Sequence, residues 1–164
     1  MTTNKKPPKT VIVLDRLRSA HNTGNIFRIA EAVGADEIIA CGYTPAPPHP
    51  KLEKTAMGAD KMVPCRTFAS SLEAVRQLRN EGFKQILAVE PGSTNAWEHE
   101  YEFPLALVFG NEALGIAEET LAECDGTISL PMFGQKASIN VGNCAAVVMY
   151  SVVAFANRHG HSGE

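Results

Sequence analysis

What this sequence lacks narrows its function before any motif is read. Its four cysteines, Cys41, Cys65, Cys124 and Cys144, form no CxxC pair and keep no metal-ligand spacing. No zinc site or disulfide framework is therefore expected, and free thiols in a reducing cytoplasm are. Basic charge is in short supply: the formal net charge is −3, whereas most dedicated nucleic-acid binders are basic. A nucleic-acid partner would need a local patch, for instance one assembled across a dimer. No apolar run approaches the roughly 20 residues that cross a bilayer. The longest, residues 144–150 continuing past Ser151 to Ala156, fits a buried core or interface helix. GxGxxG is absent, which argues against a dinucleotide enzyme, and so is the GxxxxGK[ST] of a phosphate loop. Repeats, linkers and low-complexity segments are absent too. No secretory leader is expected, because residues 1–9 are polar, basic and proline-containing, a flexible arm instead.

What remains reads as one α/β domain over residues 1–164. Residues 10–14 (TVIVL) are a β-branched run, the first buried strand. Ile26, Ile29, Ala30 and Val33 recur at helical spacing and end at Gly34, and residues 37–41 form a second strand. A strand, a helix and a strand in succession imply a parallel sheet. Residues 42–59 hold four prolines, an exposed loop with a short helix near 51–57. Further strands are expected at 61–66, 85–89, 105–109 and 127–130, with helices at 70–80 and 118–123. An apolar helix over about 139–157 closes the chain.

Three clusters fall at strand ends or helix starts, where open α/β sheets bind ligands. The first holds Asn22, Gly24 and Arg28. Arg28 lies off the apolar stripe, and Gly24 lets a backbone or phosphate come close; an N-cap at Asn22 is the structural alternative. The second is Phe109-Gly110-Asn111-Glu112-Ala113-Leu114-Gly115, where a hydrophobic strand stops at a glycine and one carboxylate follows. The third runs from Leu130-Pro131-Met132 to Ser138-Ile139-Asn140-Val141. Ser138 and Asn140 stand where a loop becomes a helix, so one can cap and one can act.

In this order and at these separations, the clusters resemble the SPOUT superfamily of RNA methyltransferases. The branch is the SpoU-type (TrmH-like) one that methylates ribose 2′-hydroxyls. The resemblance extends from Thr10 to about Asn157. It implies a mostly parallel sheet flanked by helices, with a C-terminal deep trefoil knot, and S-adenosyl-L-methionine as cofactor. Cofactor contacts would come from Gly110, Leu130 and Ile139, with Pro131 and Met132 lining the adenine slot. Arg28 would be the central catalytic residue, with Asn22, Glu112, Ser138 and Asn140 around it. The family pattern Ser-Leu-Asn-Val-Ser reads Ser138-Ile139-Asn140-Val141-Gly142 here, so one hydroxyl is lost.

The expected reaction moves the sulfonium methyl to a ribose 2′-oxygen of tRNA or rRNA, with tRNA favoured. Because a guanidinium stays protonated, Arg28 is expected to stabilise the developing alkoxide while a phosphate or water takes the proton. Glu112 would orient Arg28 by a charge-assisted pair. RNA contacts are sought at Arg16, Arg18, His21, Lys51 and Lys54. A cytoplasmic homodimer through the knot and the last helix is implied, with no metal and no membrane. Two other functions stay open: a same-fold enzyme acting on a base nitrogen, and a catalytically silent RNA-binding or assembly protein.

Overall fold

The computed structural model of the protein describes residues 5–161; the first four residues of the expected arm lie outside that range. The described part of the arm is tied down. The Lys5 N–H donates to Asn157 Oδ1 over 2.9 Å, and Lys6 Nζ pairs with Asp36 at 2.8 Å.

Six strands form one sheet: β1 (Thr10–Asp15), β2 (Glu37–Cys41), β3 (Cys65–Phe68), β4 (Gln85–Asn95), β5 (Leu105–Gly110) and β6 (Gly126–Ser129). Their spatial order is β3-β2-β1-β5-β4-β6, and every paired neighbour is parallel. The helices are α1 (Ala20–Val33), α2 (Pro50–Ala56), α3 (Ser71–Asn80), α4 (Glu118–Glu123) and α5 (Val141–Arg158). β1 shows why its sequence is apolar without a break. Ile12 and Leu14 pack into the core under α1 and α5, while Val11 and Val13 pack with Ala74, Val75 and Leu78 of α3. A parallel strand covered on both faces has no solvent side to keep polar.

Residues 61–66 do not form the expected third strand. The Val63 N–H turns back to Ala59 O at 3.0 Å beyond the 3₁₀ turn Ala59–Lys61. Pairing with β2 begins only where Pro64 O accepts from Ile38 N at 2.9 Å, so β3 starts at Cys65. β4 outruns its expected end as well. Its register with β6 shifts between Val89 and Thr94, so Glu90 and Pro91 fall in the irregular stretch between its two paired runs.

α1 is capped by Ser19, whose hydroxyl accepts from the Asn22 N–H, and stops at Gly34 with φ 74°. Asn22 is therefore not the cap, which leaves its side chain free. Gly24 serves α2: a Cβ there would lie 2.6 Å from Leu52 O and 3.0 Å from Ala56 N. Its missing side chain thus admits a neighbouring helix backbone, not a phosphate. None of the described helices is long and apolar enough to cross a membrane.

Candidate active site

β4, β5 and β6 end on the same side of the sheet, and a cavity of about 430 Å³ opens there. Its floor is Val89, where the β4 register breaks, with Phe109 and Ser129 at the ends of β5 and β6. One wall is the 110–115 turn, and the other is Leu130, Met132, Ala137, Ser138, Ile139 and Asn140 leading into α5. Of the residues expected to hold a cofactor, Gly110, Leu130, Met132 and Ile139 line this space. Pro131 does not, although both its neighbours do. Gly110 earns its place differently from what its sequence suggests. A Cβ on it would sit 2.5 Å from Gly115 C and Ile116 N, so the glycine lets the turn fold back on its own strand.

A chain of side-chain amides joins the three sequence clusters. Asn140 Nδ2 donates to Asn22 Oδ1 at 3.1 Å, and Asn22 Nδ2 donates to Glu112 Oε2 at 3.0 Å. Glu112 is further held by two backbone donors ahead of α1, Arg18 N to Oε1 at 3.0 Å and Ser19 N to Oε2 at 3.1 Å. Desolvation alone would raise the Glu112 carboxyl, but the Arg18 N–H, the Asn22 amide and the Ser19 N–H prevail and hold it below the usual range. At its other end Asn140 caps α5, accepting from Gly142 N at 2.8 Å and Asn143 N at 3.2 Å. Gly142 keeps that cap unobstructed, since a Cβ there would lie 3.1 Å from Asn140 Oδ1. The serine lost from the family pattern would crowd the cap.

Asn22, Glu112 and Asn140 thus meet, and Ser138 faces the same cavity from an exposed loop. Arg28 does not join them. It is exposed on α1, among neither the cavity-lining residues nor the hydrogen-bond partners of Glu112. The expected Glu112–Arg28 pair is not among the bonds within this chain; two backbone N–H groups and the Asn22 amide hold Glu112 instead. Arg16 is likewise no free cation: its Nε donates to Asp15 Oδ1 at 3.1 Å and its Nη2 to Gly115 O at 3.2 Å. The Asp15 contact raises its pKa further above the ordinary arginine value. Arg18, His21, Lys51 and Lys54 are exposed on α1, the segment before it, and α2, which packs against α1.

The sequence reading gives no site role to Glu90 or Cys144, and names Asn111 only as part of its cluster. Glu90 lines the cavity and accepts from the Ile116 N–H at 3.3 Å; a carboxylate immediately after an apolar strand was its signal. Asn111, 4 % exposed, braces the turn, its Oδ1 accepting from Ala113 N and Leu114 N at 2.8 Å each. Cys144 also lines the cavity, and burial pushes its thiol up to about 11, so it is a protonated, weakly nucleophilic wall group.

The cavity suits a mid-sized, partly apolar cation. Its volume falls within the roughly 300–1,000 Å³ of ligand sites. Leu130, Met132, Ile139 and Val141 offer apolar surface, strand-end backbone offers hydrogen bonds, and the Glu90 and Glu112 carboxylates favour positive charge.

Comparison with known proteins agrees with this geometry. The model of the SpoU rRNA Methylase family matches residues 9–150. A tRNA (guanosine(18)-2′-O)-methyltransferase of Thermus thermophilus is 33 % identical over 147 residues, covering 89 % of this chain and 75 % of that protein. The SpoU methyltransferase AviRb from Streptomyces viridochromogenes, solved with AdoMet, superposes with a TM-score of 0.81 at 26 % identity. That match covers 90 % of this chain and 60 % of AviRb, so this chain spans under two thirds of its length. A structure described for 2-OH methylation of C/U34 on tRNA superposes with a TM-score of 0.80 at 25 % identity, covering 94 % of this chain and 99 % of that one.

Proposed function

The chain belongs to the SpoU rRNA Methylase family, and from that premise we propose that it methylates a ribose 2′-hydroxyl of RNA, tRNA before rRNA, as a cytoplasmic homodimer. The observation that carries the reading is the convergence of Asn22, Glu112 and Asn140 beside a cavity at three strand ends. S-adenosylmethionine bound there would supply an electrophilic methyl group. Leu130, Met132 and Ile139 would hold its apolar parts, and the strand-end backbone near Gly110 would fix its register. In this reading residues 126–138 are threaded as a deep trefoil knot.

The chain's own contribution is placement and charge. Asn140 and Ser138, which both line the cavity, would hold a ribose against its mouth. Glu112 fastens the start of α1 to the β5 turn, so that Asn22 keeps its orientation. Arg28 would stabilise the developing 2′-alkoxide, and a phosphate or water would take the proton, since a guanidinium makes no base. Its absence from the lining of its own cavity is accounted for if it serves the cavity of a second subunit. α5 has a face for such a subunit: Val147 and Tyr150 are 39 % and 52 % exposed beside a shallow depression lined also by Ala146, Ser151 and Ala154.

Nucleoside mass spectrometry of tRNA and rRNA from a strain lacking the gene tests the function. Loss of one 2′-O-methyl nucleoside is expected. Loss of a base-methylated nucleoside instead would assign the chemistry to a ring nitrogen. Unchanged RNA, with no calorimetric binding of S-adenosylmethionine, would favour a silent RNA-binding protein.

A further inference from the structure

We infer that Arg16 is a positioning residue for the cofactor wall, acting from behind it, rather than an RNA contact. The inference rests on the cofactor reading above. Arg16 directly follows β1 and adopts φ 56°, a left-handed conformation that strains a non-glycine residue. Such strain persists where the surroundings over-determine it, and here they do. The Arg16 N–H donates to Cys41 O at 3.2 Å, and its carbonyl accepts from Asn111 Nδ2 at 2.7 Å. Its guanidinium forks onto Asp15, Nε to Oδ1 at 3.1 Å and Nη2 to Oδ2 at 3.3 Å, while the same Nη2 reaches Gly115 O.

Asp15 is 1 % exposed and also accepts from the Ala117 N–H at 2.9 Å. A carboxylate buried that deeply needs a partner, and among the described residues Arg16 is the cation that pairs with it. Gly42 makes room, since a Cβ there would lie 3.1 Å from Arg16 Cγ. Together Asp15 and Arg16 fasten the 110–117 segment at both ends, through Asn111 at one and through Gly115 and Ala117 at the other. The far side of that segment is the cavity wall. Arg16 itself does not line the cavity, so its effect on a ligand passes through the turn it holds.

The test compares wild type, Arg16→Gln and Arg16→Lys of the full chain. Calorimetry would give the S-adenosylmethionine affinity, and filter binding the affinity for bulk tRNA. Arg16→Gln should weaken cofactor binding by about tenfold, the scale of one lost charge-assisted bond, and leave tRNA affinity within about twofold. Arg16→Lys, which keeps the charge beside Asp15 but not the fork, should recover part of the loss. If Arg16→Gln does not fold, Arg16→Lys is read by the same criterion, with a smaller shift in the same direction. A fall in tRNA affinity with cofactor binding intact would overturn the inference, as would no change in either. Wild type that binds no S-adenosylmethionine would overturn the function proposed above as well.

Discussion

The 110–117 wall of the cavity is fastened through Asp15, Arg16, Glu90, Asn111 and Glu112, whereas the 131–140 wall lies open to solvent at every residue from 132 to 140. Phe133 on the open wall is 89 % exposed. Asn140, at its very end, is the residue there that side-chain hydrogen bonds hold among those described. Bonds within the chain hold the fastened wall without a ligand's help. Ordering the open wall would fall to a ligand or a second subunit, and that ordering subtracts from affinity. The two walls should therefore answer the same substitution differently.

Glycine exchange breaks or upholds that contrast most sharply. Gly110→Ala drives a Cβ to within 2.5 Å of backbone atoms of Gly115 and Ile116. It should cost about 1–3 kcal/mol by denaturant unfolding and lower cofactor affinity measurably. Gly134→Ala, on the open wall with nothing within 4 Å of the new Cβ, should stay within about 0.5 kcal/mol of wild type. Similar losses from both would mean that the walls are not different in kind.

Next in size is Glu112→Gln. A neutral amide cannot accept equally on both atoms, so Arg18 N, Ser19 N and Asn22 lose part of their anchor. Turnover should fall by about tenfold, with a smaller loss of cofactor affinity, since α1 moves more than the cavity floor. Where the two walls meet, Asn140 separates capping from contact. Asn140→Ala should lower stability by about 1 kcal/mol through the lost cap of α5. Asn140→Ser keeps a capping oxygen but not the amide to Asn22, so it should melt near wild type while losing activity as Asn140→Ala does.

The smallest effect is in the acid limb of stability. The folded pKa of Glu112 lies below its unfolded value of about 4.3. Its contribution is therefore complete above that pH and is lost as pH falls through the folded value. Thermal melts of wild type should drop more steeply than those of Glu112→Gln between about pH 5 and 3.

The strands were legible because each apolar run stops at glycine, proline or a polar residue; β2 and α4 have the bounds their sequence suggests. β3 was misplaced because Met62-Val63-Pro64 reads as strand but spends its N–H groups on a turn. The meeting of Asn22, Glu112 and Asn140 was legible only through the family resemblance, since periodicity does not say which strand ends lie together. The Glu112–Arg28 pair was expected from opposite charge, yet backbone donors ahead of α1 claimed the carboxylate, and backbone demand leaves no mark in side-chain letters. Arg16 was sought as an RNA contact for the same reason, although it pairs with the buried Asp15. Its burial depends on the 110–117 turn, almost a hundred positions away.

The most direct measurement incubates the purified protein with RNA and S-adenosylmethionine carrying a deuterated methyl, then weighs the nucleosides and their fragments. The expected result is a labelled methyl on the ribose fragment of one nucleoside, reduced or lost with Gly110→Ala and retained with Gly134→Ala. Label on a base fragment, or none from protein that demonstrably binds the cofactor, would contradict the assignment of this cavity to ribose methylation.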